Sequence, residues 1–348
     1  MDDKVDDKVR RAGRLLTLLC LFLLALSAWA DGVQCAVCGR TISGKYLTAG
    51  GRSFCSQACY DKTLPTCDIC GRRLTGKFFT SEGRRFCSDA CFNKTLPKCE
   101  ICGVPLRKVM IIGGHTYCET HSKGPYCSHC RLPFAKGFEL ADGRKMCTVC
   151  NPRLIYDEDK AEPLYAAARN QVRAVTGMQS PTLPRLELVG LDRMPEGRRQ
   201  LGEDFKIQRG MYERHVTTTT TKNLLGMKLS ESKAVTEAVL ILYALAPDEF
   251  VATAAHELTH DLLSEQFPAV AESAPDWVEE GVCQYVSALV CRRNAYTDML
   301  NDIETSTLPD YGPGYRYFKH QCGDNNWPAV VDWMQKTDLS RLPKELGE

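Results

Sequence analysis

The chain is 348 residues long, more than a single compact domain usually holds, so we expect two or three modules. Hydrophobic residues make up 44% of it and charged residues 25%, which is near the average for soluble globular proteins and excludes a mostly disordered chain. A formal net charge of +1 gives no overall basic signal for nucleic-acid binding. The unusual feature is a content of 19 cysteines, most of which lie in the first half of the chain.

Residues 1–30 have the layout of a secretory signal peptide. Basic residues come first, a leucine-rich run follows over residues 15–26, and Ala28-Trp29-Ala30 has the A-x-A form of a cleavage site. The apolar run is about half the length that a membrane-spanning helix needs, so an uncleaved signal anchor is the less favoured alternative. The sequence therefore predicts cleavage after Ala30 and a secreted or periplasmic protein.

A cysteine repeat occupies residues 31–152. Cys35, Cys67 and Cys99 open successive copies at a spacing of 32 residues, each as the first member of a Cys-x2-Cys pair. A fourth Cys-x2-Cys pair begins at Cys127, and a second pair of potential ligands follows in every copy. A Cys-x2-Cys pair places two thiolates on one tight turn, which suits zinc. The repeat predicts four zinc-binding units, at residues 33–64, 65–96, 97–122 and 125–152.

Each unit supplies four ligands, the number that a closed, tetrahedral structural zinc site requires. A disulfide framework is the alternative that export would permit, but the third unit uses a histidine, which cannot form a disulfide. Each unit is too short to bury a sufficient core, so metal binding must supply much of its folding free energy. The predicted ligands are Cys35, Cys38, Cys55, Cys59, Cys67, Cys70, Cys87, Cys91, Cys99, Cys102, Cys118, His121, Cys127, Cys130, Cys147 and Cys150.

After residue 152 the cysteine pattern stops, and residues 153–348 are predicted to form a separate domain of an α+β protein. Periodicity and β-branched composition predict a helix and three strands, at residues 157–176, 185–192, 211–222 and 234–245. We expect another helix to start near Pro247, with Asp248 as its cap. The last strand is predicted at the sheet edge beside this helix, where a substrate peptide could add as a further strand.

The string HELTH over residues 256–260 is typical of a catalytic zinc site. A spacing of four residues puts His256 and His260 on one face of a helix, about one turn apart, so both can bind one metal ion. Glu257 lies beside them, where it can take a proton from a zinc-activated water. The alternative is a structural helix whose histidines face solvent, but the two alanines before the string indicate a buried helix.

A second helix, predicted over the string PDWVEEGVCQYVSALV, offers a carboxylate as the third zinc ligand. On a helical wheel Glu279 lies within the apolar face and Glu280 lies beside it, which favours Glu279. However, the string EGVCQY resembles EGFASY in the aminopeptidase-N-like gluzincins, whose ligand is the glutamate directly before the glycine. The resemblance implies that Glu280 binds the zinc, and leaves Glu279 as the alternative ligand or as a partner that hydrogen-bonds to one.

The cysteine units resemble LIM-type zinc modules in the spacing of their pairs and in the Phe-Cys dipeptide before the second pair. They differ from LIM modules in the seven residues between Cys59 and Cys67, and in the three-residue gaps of the pairs Cys55–Cys59 and Cys87–Cys91. We therefore describe the units as LIM-like.

Three later strings resemble, in order, the peptidase domain of the LIM-domain peptidases, known best as plant regulators of organ size that ubiquitination activates. These strings are VTEAVLILYALAPDEFVATAAHELTHDLL, VEEGVCQYVSALV and YGPGYR, and they fall roughly within residues 200–320. The resemblance implies a gluzincin-like zinc endopeptidase domain after tandem LIM-like units. The chain departs from the family in its predicted signal peptide, its additional zinc units and the lack of an acidic ubiquitin-interacting helix at its start, so ubiquitin activation is not carried over.

The predicted activity is hydrolysis of peptide bonds in a protein or peptide substrate, with Glu257 as general base. The developing oxyanion needs a second donor, for which Tyr311 is the candidate and Tyr315, Arg316 and His320 are alternatives. The expected cofactors are one catalytic and about four structural zinc ions. The LIM-like array offers a surface for a protein partner or for regulation, and neither nucleic acid nor a membrane is expected as a partner.

Two other functions compete with the peptidase. One is a non-catalytic zinc-binding adaptor that has lost turnover, although the intact Glu257 favours activity. The other is a protein that stores or senses zinc. The three cysteines that follow the array, Cys283, Cys291 and Cys322, are predicted to be buried thiols, with a Cys283–Cys322 bridge as the alternative after export.

Overall fold

The computed structural model describes residues 28–29, 32–194, 208–222 and 228–346. Nearly all of the predicted signal peptide, residues 1–27 and 30, lies outside these ranges. Ala28 and Trp29 pair as a short strand with Tyr46 and Lys45. Among the described residues, no helix is both long enough and apolar enough to cross a membrane.

The fold is α+β, as predicted in outline, with small sheets in the cysteine-rich part and a helical region after it. The chain divides into two units between Lys123 and Gly124. The fourth cysteine unit therefore falls in the same unit as the helical region, and the first three cysteine units form the other.

The described part of the first unit contains short strands and two short α-helices. Its strands are β1 (Ala28–Trp29), β2 (Val33–Gln34), β3 (Thr41–Ile42), β4 (Lys45–Ala49), β5 (Arg52–Phe54), β6 (Phe79–Ser81), β7 (Arg84–Phe86), β8 (Met110–Ile112) and β9 (His115–Tyr117), and its helices are α1 (Gln57–Asp61) and α2 (Asp89–Asn93). The pairs β4–β5, β6–β7 and β8–β9 are antiparallel hairpins, so the three repeats share one plan.

A capped helical turn explains the three-residue gap in the second cysteine pair of the first two repeats. Ser56 caps α1 and accepts a hydrogen bond from the N–H of Cys59 at 3.3 Å. Ser88 caps α2 and accepts one from the N–H of Cys91 at 3.4 Å. Because the helix starts right after the first cysteine of the pair, its first turn returns the next cysteine toward the other thiols.

The second unit begins with the hairpin of the fourth cysteine unit and continues into a sheet packed with helices. Its described strands are β10 (Gly137–Glu139), β11 (Lys145–Cys147), β12 (Arg185–Val189), β13 (Gly210–Lys222) and β14 (Lys228–Leu242), and its described helices are α3 (Glu158–Thr176), α4 (Pro247–Gln266), α5 (Pro268–Ser273), α6 (Asp276–Asn294), α7 (Thr297–Glu304), α8 (Tyr311–Cys322) and α9 (Trp327–Lys336). The predicted helix and three strands are all present, with somewhat different ends.

The three-stranded sheet has the order β12-β14-β13, with β12 parallel and β13 antiparallel to β14. The prediction that the strand near residues 236–244 forms the sheet edge is wrong, because β12 pairs with its other side. Residues 239–242 are buried, as expected for a central strand. The edge strand beside α4 is β13, whose first residue, Gly210, packs against side chains of that helix.

The start of α4 differs from the prediction in its cap. Ala246 precedes the helix and Pro247 occupies its first position. Asp248 therefore lies inside the first turn and not at the cap, and the Glu249 carboxylate accepts a hydrogen bond from the N–H of the capping residue Ala246 at 3.0 Å. Most residues from 250 to 263 are buried, which places the two histidines of the helix inside the protein.

Two glycines allow α6 and α8 to cross closely. A Cβ atom on Gly281 would lie 2.6 Å from the carbonyl carbon of Gly314, a distance that no side chain can occupy. Gly314 belongs to the YGPG string that opens α8. The close crossing therefore brings the first turn of α8, with Tyr311, toward the helices that carry the predicted zinc ligands.

Candidate metal centres

Helices α4 and α6 bring three predicted zinc ligands together. The Nε2 atoms of His256 and His260 lie 3.3 Å apart. Glu280 approaches from α6, with its Oε2 3.1 Å from Nε2 of His256 and 3.7 Å from Nε2 of His260. Tetrahedral donors at ~2.0–2.1 Å from one zinc ion lie about 3.3 Å from one another. The spacing of these donor atoms therefore fits a single zinc ion.

Glu279 lies beside this group but contacts the other nitrogen of His260. Its Oε1 is 2.8 Å from Nδ1 of His260. A carboxylate in this position selects the tautomer of a metal-binding histidine and orients its ring. Of the two glutamates that the sequence left open, Glu280 thus faces the two Nε2 atoms, and Glu279 has the position of a hydrogen-bonding partner.

The thiol of Cys283 is a potential donor that sequence reasoning missed. It forms with His256 and His260 a group whose donor atoms all lie within 4.8 Å of one another. Burial raises the pKa of Cys283 to about 12, which disfavours the thiolate. Cys283 and Cys322 are both free thiols, so the alternative bridge between them is absent from the structure. The signal for this donor was its position three residues after Glu280 on one helix.

The side chain of Glu257, on α4, is buried against the edge strand β13. Only 5% of the residue is exposed, and the backbone N–H of Tyr212 hydrogen-bonds to its carboxylate. Burial raises the pKa of Glu257, although His256, His260 and the Tyr212 N–H act in the opposite direction. A carboxyl group with a raised pKa is a better proton acceptor near neutral pH than an exposed glutamate.

Tyr311 lies at the first position of α8, against one of the two histidines. Its ring stacks on the ring of His256, with centroids 5.6 Å apart and an angle of 14° between the planes. The structure therefore places the favoured oxyanion donor next to the predicted zinc ligands. The proline and glycines that follow it let α8 begin close to α6.

The three alternative donors have other surroundings. The Tyr315 hydroxyl accepts a hydrogen bond from Arg292 at 2.6 Å, and Arg316 donates to the backbone oxygen of Ser306 at 2.8 Å. His320 lines an open cleft of about 590 Å³ together with Tyr315 and Arg316. Tyr315 and Arg316 therefore make contacts that pack α8 against its neighbours, and His320 lies at a surface cleft.

Four further groups of donors match the ligand sets predicted from the cysteine spacing. In the first group, the Cys55 sulfur lies 3.6 Å from that of Cys38 and 3.5 Å from that of Cys59. The second group repeats these distances. Thiolates at ~2.3 Å from one zinc ion lie about 3.8 Å apart in a tetrahedron. Each group could hold a zinc ion, and the predicted grouping into four tetrads is confirmed.

The third and fourth groups show how the protein prepares ligands for a metal. In the third, Nδ1 of His121 lies 3.5 Å from the Cys99 sulfur and 3.2 Å from the Cys118 sulfur. In the fourth, hydrogen bonding by the Cys130 thiol is the main cause that lowers the pKa of Cys127 to about 4. The lowered pKa of Cys127 favours its thiolate, which is the form that binds metal ions.

The chain is similar to three curated proteins of Arabidopsis thaliana. It is 27% identical to DA1-related 1 over 213 residues (55% of this chain and 38% of that protein) and 28% identical to DA1-related 2 over 215 residues (56% and 39%). It is 25% identical to DA1 over 250 residues (62% and 46%). The chain thus spans less than half the length of each of these relatives. No protein-family model matches it.

The similarity corrects the prediction of export. The relatives are DA1 and DA1-related proteins, which are intracellular regulatory proteins of a plant. The prediction of a secreted or periplasmic protein, which came from the layout of residues 1–30 alone, is therefore wrong. The chain is similar to DA1-type regulators over about half of its length, and its cysteine tetrads suit LIM-like zinc units.

Proposed function

We propose that the second unit is a gluzincin-like zinc endopeptidase, and that LIM-like units of the chain regulate it or bind a protein partner. The observation that carries the proposal is the convergence of His256 Nε2, His260 Nε2 and Glu280 Oε2 within 3.1–3.7 Å of one another, next to the buried Glu257. The similarity to DA1-type proteins supports a regulator that contains LIM-like units.

In the proposed mechanism His256, His260 and Glu280 would hold the zinc ion. When bound, zinc would activate a water molecule and polarise the carbonyl of the scissile peptide bond. Glu257 would accept a proton from the water and deliver it to the leaving amine. Glu279 would keep the His260 ring in the orientation that presents Nε2 to the metal, through its 2.8 Å contact with Nδ1.

Tyr311 would act on the oxyanion of the tetrahedral intermediate. Stacking on His256 holds its ring beside the ligands, and a phenol can donate a hydrogen bond to a developing negative charge. The substrate backbone would lie along β13, because this strand is the sheet edge next to Glu257. We therefore expect an extended protein or peptide segment as the substrate.

The test combines metal analysis with cleavage of casein by the full chain. The wild type should carry about five zinc ions and cleave casein. Glu257→Gln should keep its zinc and lose at least about 100-fold in kcat/KM, because the amide cannot accept the proton. Glu272→Gln, which changes an exposed glutamate on α5, is the matched control and should cleave normally. Equal cleavage by the wild type and Glu257→Gln would contradict the proposal.

A non-catalytic zinc-binding adaptor is the second candidate, and Cys283 is the observation that favours it. With this thiol as a fourth protein ligand, the site would be closed and would leave no position for water. An adaptor would bind zinc at this site without cleaving casein. In that case Cys283→Ala should change the spectrum of a cobalt-substituted site by removing one sulfur ligand, whereas the peptidase predicts no such change.

A further inference from the structure

The fourth cysteine unit shares an apolar core with the segment that leads into the zinc-binding helix. Cys127, Met146 and Cys147 from the cysteine unit pack with Ala244 and Ala246, which connect β14 to α4. All five residues are at least nine-tenths buried. A module that only recruits a partner would not need to bury its metal ligands against the start of this helix.

The Cys-x2-Cys turn of this unit reaches the first turn of α4. His129 lies between Cys127 and Cys130, and its Nδ1 is 2.9 Å from Oε2 of Glu249. The same Glu249 oxygen accepts the Ala246 N–H at 3.0 Å. His129 therefore holds the carboxylate that closes the start of α4, the helix that carries His256, Glu257 and His260.

A second contact links the same turn to the strand beside the general base. Arg131 and Arg209 both contact Oδ2 of Asp302, at 3.3 and 3.1 Å. Arg209 immediately precedes Gly210, which abuts the side chain of Glu257. The turn is thus connected both to α4 and to the first residue of β13.

A buried ion pair anchors the hairpin of the unit at the same end of the sheet, where β12 and β14 end and β13 begins. Arg144 and Asp142 contact each other at 2.9 Å, with side chains only 3% and 2% exposed. Arg144 also donates to the backbone oxygen of Tyr243 at 2.8 Å, and Asp142 accepts the N–H of Leu191 at 3.2 Å. Tyr243 follows β14 and Leu191 follows β12, so the hairpin is attached to both strands.

We propose that the fourth metal site, formed by Cys127, Cys130, Cys147 and Cys150, is part of the scaffold of the active site, with His129 as a positioning residue. The metal fixes the turn that carries His129, and His129 fixes the start of α4. Loss of this metal should therefore weaken the distant His256–His260–Glu280 site. The inference rests on the proposed peptidase for its effect on turnover, but not for its effect on metal binding.

The first experiment measures zinc bound by the full chain across a series of buffered free zinc concentrations. The binding step that disappears in His260→Ala defines the active site. In Cys130→Ser this step should move to about tenfold higher free zinc. Cys38→Ser removes the corresponding ligand from the first tetrad, so it should lose the zinc of that tetrad and leave the active-site step in place. An unchanged active-site step in Cys130→Ser would overturn the proposal.

The second experiment keeps all four thiols and removes only the contact to α4. His129→Ala should shift the active-site step by a similar factor and lower kcat about tenfold with little change in KM, because the helix start is misplaced. His129→Asn should restore most of both, since its amide can donate from nearly the position of Nδ1. His115→Ala is the matched control, because it removes another histidine–glutamate pair, the 2.7 Å contact with Glu100 in the first unit.

The outcomes separate the two proposals. Wild-type zinc affinity in His129→Ala would overturn the role of His129, whether or not the protein cleaves casein. If the wild-type chain binds zinc at the active site but cleaves nothing, the proposed peptidase activity is contradicted. The zinc measurements then still test the proposal that the fourth metal site supports the active site. Should Cys130→Ser fail to fold, the two His129 variants decide the question.

Discussion

Gly210 opens β13 directly against the side chain of Glu257. A Cβ atom at this position would lie 2.6 Å from Cγ2 of Thr253 and 2.7 Å from Oε1 of Glu257. Both distances are far inside van der Waals contact, so the strand can approach the helix this closely only with glycine. The position of the proposed general base thus depends on a residue with no side chain.

We expect Gly210→Ala to displace Glu257 and to lower kcat at least about tenfold, and to cost about 1–3 kcal/mol of stability through overpacking. The control is Gly76→Ala, because a Cβ there meets no atom within 4 Å. Steady-state kinetics on casein-derived peptides and urea unfolding check the prediction. Wild-type kinetics in Gly210→Ala would show that the carboxylate position is not limiting.

At the scale of elements, Glu304 links three helices of the second unit. It lies at the end of α7 and contacts Arg292 of α6 at 3.0 Å and Lys319 of α8 at 2.9 Å. The hydrogen bond from Lys319 is the main cause that lowers the pKa of Glu304. Because the folded state holds the ionised form, this stabilisation is present above the unfolded pKa of about 4.3 and is lost as pH falls through the lower folded pKa.

Glu304→Gln should therefore lower the free energy of unfolding of the second unit at pH 7 by less than about 1 kcal/mol, since the pair is partly exposed and screened by solvent. The difference from the wild type should be constant above about pH 5 and should shrink as pH falls below about 4.3, through the lowered pKa of the folded state. Urea unfolding at several pH values, with Glu272→Gln as control, measures it. A difference that grows toward low pH would contradict the assigned sign.

At the scale of the whole molecule, the two units differ in what stabilises them. The apolar cores of the first unit are small, and in the first repeat the fully buried set is Cys35, Ile42, Phe54 and Cys59. The second unit has an extended core that includes buried residues of its sheet and of α3, α4, α6, α8 and α9. Metal should therefore be needed for folding in the first unit far more than in the second.

Removal of zinc by a strong chelator at neutral pH should unfold the first unit and leave most helical structure in the second. The far-ultraviolet circular dichroism of the helices should largely persist, while limited proteolysis cuts first within residues 32–123. Addition of zinc should restore protection, because ligand binding and folding are linked. Simultaneous proteolysis of both units after chelation would show that the core of the second unit does not stay folded without metal.

Local spacing was sufficient for the features that the sequence predicted well. Two thiols in a Cys-x2-Cys turn, and two histidines four residues apart on a helix, are neighbours whatever the rest of the chain does. The period of the cysteine pairs likewise reveals the tandem units. For this reason the four tetrads are confirmed by the structure, and His256 and His260 face each other as expected.

Long-range packing determined the features that the sequence did not predict, because sequence patterns do not show which distant residues come into contact. The helical wheel alone favoured Glu279, yet the crossing of α4 and α6 turns Glu280 toward the two Nε2 atoms. Pairing of β12 with β14 moved the sheet edge to β13. The repeat groups the fourth cysteine unit with the other three, but contacts such as His129 with Glu249 join it to the helix that carries the histidines. Chain periodicity is a local property, whereas the surface that an element buries depends on the whole fold.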